Sequence, residues 1–560
     1  MLSDPYTDKS ARDSTSIQID GQALKDLVEA SLVWLRTNQQ LVNSLNVFPV
    51  PDGDTGTNMV LTMQAAFAEI ENSSERNFGR MVHSLAHGAL MGARGNSGVI
   101  LSQLWRGFAR ALDNVEYLDG RGFVQALASA RDTAYKGVVR PVEGTILTVA
   151  KDAAAAGEHA LAETSDLVEL LDRVVQAADV SVQHTPQLLP VLKEAGVVDS
   201  GGKGFYFILE GMLRHIRGQT LDVPQSIVQS LSTMTLENVM EAIEPGQDYE
   251  VVIDFRPYQP LDLGSFYTTL EEMGTSIQVG EGDGIYRMHI HVPTEKRYEP
   301  IDYTMTLGTI TKVAMENLIA QMEERETPCG GNGQIVPAVI QPGQIAVVAV
   351  SPGNGISRVF SSLGAAAIVE GGQTMNPSTQ EIIGAFENLP TDQVIILPNN
   401  KNIILAAKTA AELTVKKVAV IPSRSVPQGL AAMLRLIPDG DLDSVVEDMI
   451  AALDEVQTCE ITIATRDVEI DGVEVQEGQV IGLYNGKLVL SETSLETACM
   501  RILQHAGADD YELITLFYGA NLPRQEAMRI TDLVREAYPG LEIEIQEGCQ
   551  PHYYFIISIE

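Results

Sequence analysis

Apolar positions recur every three or four residues through the first two hundred residues, the period of a helix with one buried face. Between Gly21 and about Ser44 they fall at Leu24, Leu27, Val28, Leu32 and Leu35. That helix has to stop before Pro49 and Pro51, because the residue ahead of a proline is pushed out of the α region. Further helices are expected over 58–71, 79–91, 99–112, 122–137, 146–156, 166–181 and 203–216, with no strand-like pair among them. Residues 18–218 therefore read as an all-α domain behind a disordered leader, 1–17. From about 237 the period changes. Strands are expected at 249–255, 276–279 and 286–292 around a helix near 262–273, giving an α+β middle domain over 237–325. Residues 326–343 carry turn residues without periodicity and read as a linker. Short apolar runs at 345–350, 366–369, 394–397 and 418–421 alternate with helical patterns, the sequence of a doubly wound parallel sheet over 344–455. Over 456–560, Asp471-Gly472 and Asn485-Gly486 mark hairpins. Helices near 494–506 and 523–537 with strands at 513–518, 541–545 and 553–559 complete an α/β unit. The fold class expected is multidomain, all-α, then α+β, then α/β.

Composition supports this division. At 560 residues the chain has room for three or four domains of roughly 150 residues each. Hydrophobic residues make up 45% and charged residues 20%, ordinary for folded cores. Charge is more selective: 75 acidic against 38 basic residues leave a net −37. Such a surface repels nucleic-acid phosphates and anionic membranes. An anionic substrate then has to be captured locally, by metal ions and oriented backbone amides. No apolar run approaches the roughly 20 residues that span a bilayer, and the first residues lack the apolar stretch of a signal peptide. Cys329, Cys459, Cys499 and Cys549 form no C-x-x-C pair and read as reduced thiols, so a cytoplasmic location is expected.

Four loops, 52–58, 94–98, 141–145 and 199–204, are rich in Gly, Asp, Asn, Ser or Thr, and each opens into an apolar helix. Helix starts present free N–H groups and a positive dipole end, so several together could line an anion pocket. In the first, Asp52-Gly53-Asp54 places two carboxylates in a proline-stiffened loop, and Thr55, Gly56, Thr57 and Asn58 lead into the helix. Alone, Pro-Asp-Gly is more often an exposed turn than a cation site. The helix start beside it favours Mg²⁺, which takes oxygen ligands and bridges to phosphates. An EF-hand is excluded, since Thr57 and Met63 stand where Gly and Glu are needed, and no Walker-type lysine loop exists. Gly95, Asn96, Ser97 and Gly98 form a second phosphate-cradle candidate, the alternative being a capped turn between helices. In the third, Asp199, Ser200 and Gly201, the carboxylate could bond a ribose or an amine. His289 and His291 share one face of an expected strand, as metal ligands or as ordinary strand histidines. Gly353-Asn354-Gly355 lacks a third glycine, Arg358 standing there, and reads as a tight turn, not a dinucleotide fingerprint.

Segments 46–59, 92–103, 140–149 and 192–202 resemble the nucleotide-binding domain of the dihydroxyacetone kinase L-subunit family. From about residue 18 to Glu560 the chain is similar to the ATP-binding subunits of bacterial fatty acid kinases, with a DegV-like C-terminal region. The likeness includes 370–379, 397–402 and the run Gln550-Pro551-His552-Tyr553-Tyr554. It implies an eight-helix barrel whose acidic loop holds two Mg²⁺ ions bridging the ATP phosphates. Asp52 and Asp54 are then the metal ligands and the catalytic carboxylates, and Asn46 stands near a further aspartate of the family pattern. Thr55–Asn58, Gly95–Gly98 and Asp199–Gly201 fall where that family contacts nucleotide. The implied reaction moves the γ-phosphoryl group to the carboxylate of a fatty acid presented by a separate binding protein, giving an acyl-phosphate for phospholipid synthesis. The implied assembly is a homodimer. In these kinases the middle domain resembles a metal site made of a strand cysteine and an H-x-H pair. Here His289 and His291 supply the pair and Glu250 stands in the cysteine place, so a Zn²⁺ site is implied in altered form.

A carboxylate acceptor is ionised at neutral pH, so no general base is expected. No long apolar tunnel is legible, which places the lipid on a carrier protein docking on 344–560. Two other readings remain open: a dihydroxyacetone-type kinase acting on a small hydroxyketone, and a nucleotide-sensing protein without turnover. The α/β region beyond the helical domain counts against the first.

Overall fold

The structure, a computed structural model, describes residues 18–46, 53–138, 140–221, 229–230, 248–259, 261, 263–271, 273–282, 285–317, 337–373, 375–464, 468–470 and 472–560. The expected leader, most of the expected linker, and Asp52 lie outside the described residues. What is described falls into two compact units, each taken by itself below.

The first unit is helical: α1 (Gly21–Thr37), α2 (Gln39–Ser44), α3 (Thr55–Glu71), α4 (Phe78–Met91), α5 (Gly95–Arg110), α6 (Gly120–Gly137), α7 (Ile146–Ala160), α8 (Leu167–Leu188), α9 (Pro190–Glu194) and α10 (Ser200–Ile216). Leaving out the short α2 and α9, each long helix packs on the next, from α3 round to α10, and α10 and α3 both close on α1. Eight helices thus form a ring, and their apolar stripes meet inside it around Trp34, Phe78 and Phe207, all fully buried. The interior keeps an apolar cavity of about 70 Å³ among Leu27, Phe78, Trp105, Phe123 and Phe205.

Two differences from the periodicity have local causes. The stretch 21–44 is two helices, because the backbone N–H and the Nδ2 of buried Asn38 both bond Trp34 O and so close α1. The helices α3, α5 and α10 begin three or four residues before the first apolar position of their pattern, since their opening turns consist of Gly, Ser, Thr and Asn.

The second unit begins with a five-stranded sheet of order β1-β3-β4-β2-β5, from β1 (Gln229–Ser230), β2 (Tyr249–Pro257), β3 (Thr275–Gly282), β4 (Ile285–Val292) and β5 (Gly308–Asn317). Helices α11 (Leu263–Glu271) and α12 (Glu299–Leu307) accompany it, and Phe255, Phe266, Leu270 and Ile290 form its core. Next comes a parallel sheet of order β7-β6-β8-β9, from β6 (Ile345–Ser351), β7 (Ala367–Glu370), β8 (Gln393–Leu397) and β9 (Lys417–Val420). Strand β6 is buried along its whole length, as expected of a sheet covered on both faces.

The last part adds β10 (Gln457–Ile463), the small pair β11 (Val468–Ile470) and β12 (Val473–Val475), β13 (Val480–Tyr484), β14 (Lys487–Glu492), β15 (Leu513–Tyr518), β16 (Glu542–Glu547) and β17 (Phe555–Ile559). Six of these form a sheet of order β14-β13-β10-β17-β15-β16. Asn485 and Gly486, with φ of 48° and 76°, make the left-handed pair that a two-residue hairpin requires. No helix among the described residues is long and apolar enough to cross a membrane.

Candidate functional site

The starts of α3, α5 and α10 meet at one end of the helical ring. Ser200 Oγ donates to Thr55 Oγ1 at 3.3 Å, tying the first residue of α10 to the first residue of α3. On the other side, a Cβ on Gly98 would lie 2.4 Å from Thr62 Oγ1, so only glycine lets α5 begin this close to α3. Arg94 N donates to the same hydroxyl at 3.3 Å, and Gly95 takes φ +57° to turn the chain into α5. The start of α7 joins them, since Gly201 packs on Ile146.

Two aspartates precede these helices, and they do different work. Asp199 Oδ2 accepts from Gly202 N at 2.6 Å, capping α10, and the carboxylate also accepts from Ile146 N at the start of α7. Burial pushes its pKa up to about 6, against the two backbone donors, which pull it down. Asp199 thus ties the starts of α7 and α10 together through their backbone amides. Asp54 is 6% exposed and makes no capping bond to its own helix. The cap of α3 comes from α2 instead: Asn43 Oδ1 accepts from Thr57 N at 3.1 Å, while Asn43 Nδ2 and Gln39 Nε2 donate to Thr57 Oγ1 at 3.1 and 3.0 Å. Gly56 allows this approach, because a Cβ there would meet Gln39 O at 2.5 Å. Asn46 Nδ2 lies 3.5 Å from Asp54 Oδ1, which brings these two expected ligands together. In this arrangement Asn46 turns its Nδ2 toward the carboxylate, while the Thr55 hydroxyl accepts from Ser200. Asn96 and Ser97 lie in the first turn of α5.

A second cluster lies in the middle domain. Glu250 on β2 stands opposite His291 on β4, with His289 two residues along the same strand. Their ligand atoms all lie within 4.8 Å of one another, with His289 Nε2 3.0 Å from Glu250 Oε1 and the two imidazoles edge to face at 4.9 Å. His289 and His291 are 4% and 2% exposed, which sets aside the reading of strand histidines on a wet face. His289 Nδ1 is buried without a hydrogen-bond partner, an orphan of the kind that metal binding relieves. Burial opposes ionisation of Glu250, but the His289 contact and the charges of both histidines outweigh it and hold the carboxyl below its ordinary range.

Known proteins divide the chain at similar places. A model described as "DAK2 domain" matches residues 49–214, the FakA-like middle domain of fatty acid kinases matches 244–325, and the FakA-like C-terminal domain of fatty acid kinases matches 346–560. Protein YloV of Bacillus subtilis is 39% identical over 558 residues, covering 97% of this chain and 99% of that one. The chain belongs to the FakA-like family of fatty acid kinase subunits. An uncharacterized protein of Staphylococcus saprophyticus is 37% identical over 552 residues, covering 97% of this chain and all of its own. Membership makes this a chain of kinase type, with a helical DAK2-like domain followed by a middle region and an α/β region holding a parallel sheet. The solved dihydroxyacetone kinase of C. freundii in complex with AMP-PNP and Mg²⁺ aligns at a TM-score of 0.28 with 16% identity, over 38% of each chain. A likeness that low carries no weight here.

Within this family member, the DAK2 match contains Asp54, the loop 95–98 and the loop 199–201, and the fold gathers all three. Asn43, Gln39 and Thr62 went unnoticed in the sequence. They sit in ordinary amphipathic helices, and nothing in their spacing announces a contact with another helix start.

Proposed function

We propose that this chain is the ATP-consuming subunit of a fatty acid kinase. It transfers the γ-phosphoryl group of ATP to the carboxylate of a fatty acid that a separate fatty-acid-binding protein presents. The observation that carries the reading is the meeting of three helix starts beside an acidic residue whose carboxylate its own helix does not use. First-turn amides of α3, α5 and α10 other than the capped Thr57 N and Gly202 N would hold phosphate oxygens without help from a basic side chain, as a chain of net charge −37 needs. Asp54, with Asp52 and Asn46, would hold Mg²⁺, and two bound ions would neutralise charge on the transferring group. The Ser200–Thr55 bond and the double cap by Asp199 fix the relative positions of the starts of α3, α7 and α10, which is the positioning that phosphoryl transfer demands. In the reaction a carboxylate oxygen bonds to the γ-phosphorus as the bond to the β–γ bridging oxygen breaks. ADP leaves, and no proton has to move from the acceptor.

Glu250, His289 and His291 fit a three-ligand zinc site with one open position, and the orphaned His289 Nδ1 supports metal there. Residues 344–560 are the proposed docking region for the fatty-acid carrier, the assembly is a homodimer, and the location is the cytoplasm.

The test is ATP consumption by the full chain, with fatty acid, in the presence and absence of a purified fatty-acid-binding partner. Consumption should need both additions, and Asp54→Ala should lose about a thousandfold, the worth of several kcal/mol of metal-borne charge stabilisation. Turnover by the Ala variant at the wild-type rate would refute the role of Asp54. Turnover with dihydroxyacetone, and none with fatty acid and partner, would refute the acceptor.

A further inference from the structure

A second crevice lies in the C-terminal region, lined by none of the site residues assigned above. It opens at the carboxyl ends of β7, β6 and β8, where Gln373, Asn399 and Asn400 line it. Strand order reverses there, β7 lying on one side of β6 and β8 on the other, and such switch points are where open α/β sheets take ligands. Its far wall is β10 together with the terminal segment that carries His552 and Tyr553.

Backbone strain gathers around it. Five non-glycine residues among those described have positive φ. Asn114 and Asn485 lie in turns, and the other three, Asn399 at 54°, Cys549 at 55° and His552 at 66°, lie at this crevice or on the segment beside it. Each left-handed non-glycine residue costs about 1–2 kcal/mol, and such costs concentrate at binding sites. Asn399 is held there by its neighbours: Nδ2 donates to Val350 O at 2.8 Å, and Ser423 Oγ donates to Oδ1 at 2.8 Å.

Glu460 is the anomaly. On β10 it stands opposite Leu483 and Ile556, both part of the core beneath the parallel sheet. Its neighbours on the same face are polar and satisfied: Thr458 bonds Ser425 at 2.7 Å, and Thr462 donates to His552 O at 2.6 Å. Between them the Glu460 carboxyl lines the crevice, and among the described residues no hydrogen bond reaches it; Lys401 acts on it only through its field. Burial accordingly pushes its pKa up to about 7. Glu460 is half-buried between the apolar partners Leu483 and Ile556, and a carboxyl so placed without a hydrogen-bond partner is best explained by something it binds.

We propose that this crevice binds the ammonium head of a small primary amine, with Glu460 as its counter-ion. The lining offers carboxyl and carboxamide oxygens, and among the described residues no lysine or arginine lines the space, Lys401 reaching Glu460 only through its field. Burial lowers the His552 pKa and leaves the imidazole neutral, an acceptor in place of a competing cation. The space is about 30 Å³, room for the head of an amine, while Val350, Val426 and Pro551 flank the first carbons of its chain.

This inference does not rest on the kinase reading and is tested without ATP. Propylamine, propionate and propanol are each titrated into the full chain at pH 8 and followed by saturation-transfer NMR. Wild type should bind propylamine with a Kd of about 1–10 mM, the affinity so small a ligand reaches. Glu460→Gln, which keeps the shape, should weaken it tenfold or more, and propionate should be silent. Glu460→Leu should abolish binding and unfold at higher denaturant than wild type. Equal binding by the Gln variant, silence of propylamine on wild type, or propionate binding as well as the amine would each overturn the assignment.

Discussion

Asp199 offers a sharp test of how the helix starts are held, because its charge and its capping oxygens can be separated. The folded environment raises its pKa from 3.8 to about 6, a little over two units. At 1.36 kcal/mol per unit the ionised form is disfavoured by roughly 3 kcal/mol relative to the unfolded chain, an upper bound because the residue is only half-buried. With the folded value above the unfolded one, this stability is present below pH 4 and lost as pH rises through 6. Asparagine carries no such penalty and still presents one oxygen to Gly202 N or Ile146 N, while alanine leaves both amides without a partner. The stability of Asp199→Asn relative to wild type should therefore climb by up to about 3 kcal/mol between pH 4 and pH 8. Asp199→Ala should sit about 1–2 kcal/mol below the Asn variant at every pH, the usual worth of an N-cap. Urea unfolding followed by tryptophan fluorescence reads this in the full chain, since the two tryptophans, Trp34 and Trp105, are both buried in the helical ring. A pH-independent difference between wild type and Asp199→Asn would refute the buried-charge argument. Equal stability of the Asn and Ala variants would refute the cap.

Gly98→Ala places a methyl group 2.4 Å from Thr62 Oγ1 and should destabilise the ring by about 1–3 kcal/mol in the same fluorescence assay. Adding Thr62→Ala should recover part of that loss, and strict additivity of the two changes would show that the contact is not what fixes α5. Purified protein should carry about one zinc ion per chain by elemental analysis, retained in Glu250→Cys and lost in Glu250→Ala; wild type that takes up no zinc even after incubation with it would rule the site out. Burial drives the pKa of Cys459 upward and that of Cys499 up to about 12, so both thiols should resist an aromatic disulfide reagent until the chain is unfolded. Labelling of either in native protein within minutes would contradict their burial.

What was legible in the sequence, and what was not, follows from where each signal resides. Periodicity located the helix bodies and the apolar strands, because burial writes itself into residue type every two or every 3.6 positions. It missed the opening turns of α3, α5 and α10 and the whole of β5, an edge strand whose Thr309, Thr311, Lys312 and Val313 are exposed. The candidate site shows a deeper limit. Asp54 and Asp199 carry the same local signal, an aspartate followed by Thr or Ser and then Gly at a helix start, and nothing along the chain tells their roles apart. The difference is made by residues elsewhere. Asn43 on α2 reaches across to bond Thr57 N and relieves Asp54 of capping α3, whereas Gly202 N has no such substitute and takes the carboxylate of Asp199. Which of two like aspartates caps its own helix is thus decided by a side chain outside the local sequence, and here that side chain belongs to a six-residue helix whose own pattern gave no hint of it.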